Sequence, residues 1–318
     1  MKYYIGIDLG GTNIAAGVVN EEKEIVAQCS VKTGSGRPLE IIVDDMAAVA
    51  MAAAAKAGLT MEQIEWVGIG APGTANKETG VIEYSNNLDW YDVPLVEMME
   101  KRLGKKVYIE NDANAAAYGE YVAGSAKDAN IFVMVTLGTG VGGGVVINNQ
   151  IYTGFNYAGA ELGHAVIVVD GRRCTCERNG CLEAYASASG LIVTTREYMA
   201  KHPDSLMWEL CGRDLDRVSG RTAFDAMRKG DTAGKLVVDE YIRYLACGIT
   251  NIINTFQPDM LSIGGGISHE GDTLMKPLKE IVEREVYSRN SPRNTEIVAA
   301  SLGNAAGIIG AALLGNAE

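Results

Sequence analysis

A strand, a glycine turn and a second strand open the chain, and the same pattern returns near its middle. Tyr4-Ile5-Gly6-Ile7-Asp8 runs into Leu9-Gly10-Gly11-Thr12-Asn13 and leaves through Ile14 to Val19; Ile131 to Thr136 runs into Leu137-Gly138-Thr139-Gly140 and leaves through Gly142 to Ile147. Apolar, β-rich runs on either side of a glycine tip read as hairpins. Asp8-Leu9-Gly10 aligns on Thr136-Leu137-Gly138, so the repeat suggests an internal duplication into two similar halves. Separate origin of two such hairpins is the alternative, because glycine tips are common. Helical patterns at 38–57, 94–103 and 232–256 end at Gly58, at Gly104 and before Pro258, and an alanine-rich helix at 113–122 follows Asn111 and Asp112. A third cluster, Gly264-Gly265-Gly266, follows a strand at 259–263 and precedes a helix at 274–286, a strand at 296–300 and an apolar helix at 305–314. Strands that alternate with helices make the fold class α/β.

Composition narrows what such a fold does. Glycine supplies 38 of 318 residues with only 7 prolines, against roughly 7% glycine in ordinary proteins. The turns Gly6-Gly10-Gly11, Gly138-Gly140-Gly142-Gly143-Gly144 and Gly264-Gly265-Gly266 hold 11 of the 38. The excess therefore reads as backbone that turns tightly or approaches a ligand. The formal charge is −12, from 28 Lys and Arg against 40 Asp and Glu, a surface on which nucleic acid is a poor partner. The longest apolar run, 46–55, is too short to span a bilayer and reads as a buried helix. No secretory signal precedes the first strand, so a cytoplasmic enzyme is expected.

Each glycine turn follows a strand and can aim backbone N–H groups at a phosphate, although each is also compatible with an ordinary tight turn. None matches the P-loop or dinucleotide fingerprints. Asp8, placed just before the first tip, can hold Mg²⁺ while the tip holds phosphate, or can simply be a turn residue. Glu110-Asn111-Asp112 brings two acids and an amide to a helix start. Asp112 is either a helix N-cap or a general base; phosphoryl transfer to an alcohol needs one such carboxylate and otherwise positioning and charge neutralisation. His164 with Cys174, Cys176 and Cys181 suits a tetrahedral zinc site. The alternatives are chance clustering or a redox thiol pair, and a CxC pair bridges badly. Cys29, Cys211 and Cys247 stand apart and read as small apolar residues, and His202 and His269 as solvated ones.

Asp8-Leu9-Gly10-Gly11-Thr12-Asn13, Glu110-Asn111-Asp112-Ala113-Asn114, Leu137-Gly138-Thr139-Gly140-Val141-Gly142-Gly143-Gly144, Gly159-Ala160-Glu161-Leu162-Gly163-His164 and the knuckle from Cys174 to Glu183 together resemble the ROK family of repressors, open reading frames and sugar kinases. The match runs in order along essentially the whole chain and is strongest with bacterial glucokinases. The resemblance implies an actin-like ATPase fold, two similar ribonuclease-H-like lobes around a cleft. Residues 1–115 would form the smaller lobe, joined by a final helix at about 304–318, and 116–303 the larger one with the knuckle. It implies ATP-dependent phosphorylation of a hexose, foremost glucose, at its 6-hydroxyl, with Asp112 as base. Gly73, Asn111, Asp112, Glu161, His164 and Glu183 would bind the sugar. Asp8, Gly10, Gly11, Thr12, Asn13, Gly138, Thr139, Gly140, Gly265 and Gly266 would hold ATP and Mg²⁺, and His164, Cys174, Cys176 and Cys181 a structural Zn²⁺.

Two departures from the family pattern stand out. Relatives often carry Lys or Arg at the position of Asn13 or Ala15, where this chain has no base, and Glu177 replaces a usual glycine. If that position needs positive φ, Glu177 is strained by about 1 kcal/mol. Other hexoses, among them N-acetylmannosamine, N-acetylglucosamine, fructose and allose, are the alternative substrates, with specificity resting on the loop at 86–90. Polyphosphate is the alternative donor. A sugar-sensing repressor is disfavoured by the acidic charge and by the first kinase-like strand lying at the start of the chain. A homodimer or higher homo-oligomer is expected, with apolar helices such as 236–256 available to pack it.

Overall fold

Ile5, Ile7 and Leu9 alternate with Gly6 and Asp8 along the first strand, so its two faces carry different surfaces. The computed structural model describes residues 1–34, 36–127 and 129–317. In it β1 (Tyr3–Leu9), β2 (Asn13–Asn20) and β3 (Ile25–Lys32) form an antiparallel meander. After α1 (Leu39–Lys56), β4 (Ile64–Ala71) returns parallel to β1. β5 (Thr74–Asn76), β6 (Val81–Ser85) and β7 (Trp90–Val93) form a small antiparallel sheet that the sequence pattern does not signal. The loop at 86–90 is its hairpin turn. α2 (Leu95–Leu103) then leads to β8 (Val107–Asn111), parallel to β4, and to α3 (Asp112–Ala123).

The second hairpin supplies β9 (Ile131–Leu137) and β10 (Val141–Ile147), followed by β11 (Gln150–Ile151). Helices α4 (Glu183–Ala186), α5 (Ala188–Lys201), α6 (Met207–Leu210), α7 (Thr222–Arg228) and α8 (Thr232–Phe256) precede β12 (Met260–Gly264). The chain closes with α9 (Asp272–Glu285), β13 (Glu296–Ala299) and α10 (Ala305–Ala312). The two five-stranded sheets have the orders β3-β2-β1-β4-β8 and β11-β10-β9-β12-β13. Both place their third, second, first, fourth and fifth strands side by side, so the repeat read from the two hairpins extends through whole sheets. Two compact units result: 1–134 with 144–160 and the chain from Ala300 onward, and 135–143 with 161–299.

In the first unit, Ile5, Ile7, Leu9, Ile14, Ala16 and Val18 pack against Ile42, Val43, Met46 and Ala50 of α1, all with at most a trace of exposure. The opposite face of the same sheet receives α10 at backbone distance. A Cβ on Gly6 would lie 1.9 Å from the carbonyl oxygen of Ile308, and one on Gly68 only 1.7 Å from that of Ala311. On its other flank α10 meets α3, where a Cβ on Gly310 would sit 1.7 Å from the Ala115 oxygen. Gly6 thus belongs to helix packing, which corrects its assignment to the first glycine turn. Trp66 Nε1 donates to the Ala312 oxygen at 2.9 Å. Buried Glu120 ties down the approach to α10: its carboxylate accepts from Leu302 N at 2.6 Å and from Ser125 N and Oγ, each at 2.9 Å.

In the second unit, α8 buries Val237, Val238, Tyr241, Ile242, Leu245, Ile249 and Ile253 at helical spacing, and Tyr241 donates to the Ala186 oxygen at 2.8 Å. Among the described residues no helix is long and apolar enough to cross a membrane. Because one methyl group at Gly68 forces β4 and α10 apart, Gly68→Ala is expected to destabilise the fold by about 3 kcal/mol. An unchanged denaturation midpoint for that variant would contradict the packing described.

Candidate functional site

The first unit carries Asp8, the Gly10–Asn13 turn, Gly73, Asn111 and Asp112. β1 ends at the turn, whose Gly10 N donates to the Asn13 oxygen at 2.9 Å. The N–H groups of Gly11 and Thr12 donate to nothing among the described residues, and a Cβ on Gly11 would meet open space. Free amides on an exposed turn suit an anion. Asn111, not Asp112, caps α3: its Oδ1 accepts from Ala113 N at 2.9 Å and from Asn114 N at 3.2 Å. Asp112 is therefore the first helical residue and not the cap, although its Oδ1 also accepts from Ala113 N at 2.9 Å. Asn111 Nδ2 also donates to the Gly73 oxygen at 3.1 Å, so these two residues are joined. Gly73 has φ of 106°, and a Cβ there would lie 2.0 Å from the Tyr84 oxygen.

Asp112 opens α3 above Gly70, whose missing side chain leaves room for the helix start: a Cβ there would lie 3.4 Å from Asp112 Cα. Burial holds the Asp112 carboxyl above the usual carboxylate range. Burial, and then repulsion from Asp112, push Asp8 up to about 6. Glu110, buried at the end of β8, is also raised by burial; its Oε1 accepts from Asn111 N at 2.8 Å and Asn114 Nδ2 at 3.0 Å. Three acids at the end of one sheet are stability given up locally, a pattern that marks functional sites.

The second unit carries the other expected residues. The tip of the β9–β10 hairpin is braced on itself and on α5: Gly138 N donates to the Gly140 oxygen at 3.0 Å, Ala188 N to the Gly138 oxygen at 2.8 Å, and Ser189 Oγ to the Thr139 oxygen at 2.8 Å. Gly265, at φ of 83°, lies against Leu137, whose backbone a Cβ would approach to about 2.5 Å. Nothing within 4 Å would oppose a Cβ on Gly138 or Gly266.

His164, Cys174, Cys176 and Cys181 form a group that could hold a metal ion, their ligand atoms all within 4.8 Å of one another. His164 Nδ1 lies 3.6 Å from Cys174 Sγ, and Cys176 Sγ lies 3.6 Å from Cys181 Sγ. A zinc tetrahedron with bonds of about 2.0–2.3 Å has edges of roughly 3.5–3.8 Å, so the donor set and spacing fit. The imidazole turns Nδ1 to the thiols, which leaves Nε2 for another partner. Glu161 is exposed, and its carbonyl accepts from His164 N at 3.1 Å. Glu183 does more than its sequence neighbours suggest: Oε1 accepts from Thr175 Oγ1 at 2.7 Å and Oε2 from Val141 N at 3.0 Å. It therefore ties the knuckle to the glycine tip. No sequence signal shows this link, which joins residues 42 apart.

With this geometry, comparison with known proteins is informative. The ROK family model matches residues 4–318. The chain belongs to the ROK family. A glucokinase of Thermotoga maritima is 38% identical over 313 residues, covering 97% of this chain and 95% of its own. A putative xylose repressor of Caldicellulosiruptor sp. is 32% identical, over 89% of this chain and 70% of its own. The crystal structure of a ROK family glucokinase from Streptomyces griseus in complex with glucose and AMPPNP has a TM-score of 0.82, with 35% identity and 98% of both chains covered. The fold is that of ROK sugar kinases, within the actin-like ATPases.

Glu177 has φ of 69°, the left-handed region that favours glycine. Glu177→Gly is therefore expected to raise stability by about 1 kcal/mol, read as a higher midpoint with the zinc content, one ion per chain by elemental analysis, unchanged. Asp8 supplies a second test. Its raised value means that ionisation opposes folding increasingly from about pH 4 to about pH 6 and fully above. Asp8→Asn should stabilise the ligand-free protein by about 3 kcal/mol at pH 7 and by almost nothing at pH 4; equal effects at both values would contradict the assignment.

Proposed function

We infer that this chain is an ATP-dependent glucokinase, transferring the γ-phosphoryl group of ATP to the 6-hydroxyl of glucose. The observation that carries the reading is Asp112: a carboxylate that is not the N-cap of α3, although its Oδ1 accepts from Ala113 N at 2.9 Å, raised by burial and set beside Asp8 at the end of the sheet. The glucokinases of the family, matched over nearly the whole chain, support the same activity.

Asp112 accepts the proton of the sugar hydroxyl as its oxygen bonds to the γ-phosphorus and the bond to ADP breaks. Burial that raises its basicity favours this transfer. Asn111 keeps Asp112 in place by capping α3 and holding Gly73. Glu161, Glu183 and His164, through Nε2, receive and orient sugar hydroxyls; Glu183 Oε2 retains a lone pair after accepting from Val141 N, whereas Oε1 is shared between Thr175 Oγ1 and Cys174 Sγ. The knuckle thiols fix the His164 ring and tautomer. Asp8 would hold the nucleotide's Mg²⁺, which neutralises phosphate charge, while Gly10, Gly11, Thr12 and Asn13 on one tip and Gly138, Thr139 and Gly140 on the other receive the phosphates, with Gly265 and Gly266 on the adenosine side.

A coupled assay with ATP, Mg²⁺ and glucose, mannose, fructose, N-acetylglucosamine or N-acetylmannosamine tests this. Glucose should give the highest kcat/KM, and Asp112→Asn should lower kcat by roughly 10²–10⁴-fold with zinc retained. If ATP phosphorylates none of these sugars, the reading is wrong.

A further inference from the structure

The first glycine turn, Gly10-Gly11-Thr12-Asn13, has no cation in its own sequence, and the start of β2 has none at Asn13 or Ala15. The sheet supplies one from the next strand. In the β2–β3 pairing Asn13 lies directly opposite Lys32, and Ala15 opposite Ser30; in the β1–β2 pairing Ala15 lies opposite Asp8. Opposed residues of an antiparallel pair share a face, with Cβ atoms about 5 Å apart, and so do residues two apart along a strand. Asp8, Ala15, Asn13 and Lys32 therefore stand on one face of the sheet, at the end where the turn lies.

The end of β3 is fastened to that turn. Thr33, fully buried, donates through Oγ1 to the Gly10 oxygen at 2.6 Å and through N to the Thr12 oxygen at 2.9 Å. Lys32 is thus held one residue from two hydrogen bonds to the turn, while its own side chain is exposed. Its ammonium has no ion pair or hydrogen bond among the described residues. The other nearby cations are committed or distant. Arg37 is paired with Asp45 at 2.7 Å and donates to the Thr33 oxygen at 2.8 Å. Lys23, at the far end of the meander, donates to the Val122 oxygen at 2.7 Å.

We propose that Lys32 is a phosphate-binding residue for the nucleotide at the Gly10–Asn13 turn, supplying from β3 the positive charge that β2 lacks. The proposal rests on the glucokinase reading for the identity of the nucleotide. A flexible ammonium reaches a phosphate oxygen as a point charge, so its exact Cα position matters less than its face and its distance from the turn.

Calorimetric titration of ATP, ADP and adenosine into the whole protein decides the matter, using wild type, Lys32→Ala, Lys32→Arg and the double variant Lys32→Ala with Asn13→Lys. Lys32→Ala should bind ATP and ADP about tenfold more weakly, with adenosine unchanged within about twofold. Lys32→Arg, and the double variant that moves the charge to β2, should recover most of the loss. The KM for ATP should follow these affinities while the KM for glucose stays constant. ATP affinity unaltered in Lys32→Ala, or adenosine weakened as much as ATP, overturns the proposal. Wild-type protein that binds ATP but phosphorylates no hexose would instead sink the glucokinase reading, and the nucleotide titrations would still judge Lys32.

Discussion

The approach of α10 to the first sheet at backbone distance is the constraint on which the first unit depends. Carbonyl oxygens of Ile308 and Ala311 occupy the positions where Gly6 and Gly68 would carry side chains, and Gly310 lets the same helix meet α3. Gly307 completes the arrangement at the end of the sheet where Asp8 lies, since a Cβ there would lie 2.8 Å from Asp8 Oδ2. The helix that closes the chain thus shapes the surroundings of Asp8, and the absence of side chains along the contact allows strand, helix and carboxylate to coexist. Apolar packing by α1 on the other face supplies the burial that stabilises the sheet, leaving the glycine face available for acids and turns.

The acids on that face are placed against their own solvation. Asp8, Glu110 and Asp112 are all raised by burial, and only Glu110 has most of its hydrogen bonding directed into the fold, toward Asn111 and Asn114. This division matters chemically. Glu110 stiffens the junction of β8 and α3, Asn111 caps the helix, and Asp112 accepts from the adjacent Ala113 N at 2.9 Å. In the second unit the corresponding economy is in Glu183, one side chain that links the cysteine knuckle to the glycine tip of the β9–β10 hairpin. Order in the knuckle is thereby transmitted to the backbone of Val141 through a single carboxylate.

Much of this was legible in the sequence because it is local. The glycine tips, the Asn111-Asp112 helix start and the Cys174–Cys181 knuckle are each made by residues close along the chain, and their side-chain chemistry is the same in any fold that forms them. The α/β class was legible for a similar reason, since hydrophobic period and helix stops act within one element. The β5–β6–β7 sheet was not, because its strands are three to five residues long and their alternation is too short to outweigh turn residues. Cys211 is buried as expected of a small apolar residue, whereas Cys29 and Cys247 are only half-buried.

The glycine content shows where the division falls. By itself the sequence determined that this chain has strand–turn–strand repeats, a metal-type cysteine cluster and one carboxylate at a helix start, because spacing and residue chemistry suffice for those. Only the tertiary structure decided which glycines open onto space and which face a helix: Gly11, Gly138 and Gly266 have nothing against them, whereas Gly6, Gly68 and Gly310 lie under backbone from residues far along the chain. The same holds for Lys32, whose relation to Asn13 exists only through strand register, and for Glu183, whose partner Val141 lies in another element. Glycine, lysine and glutamate acquire these roles from what the fold brings against them, and a linear sequence does not carry that information in the residue alone.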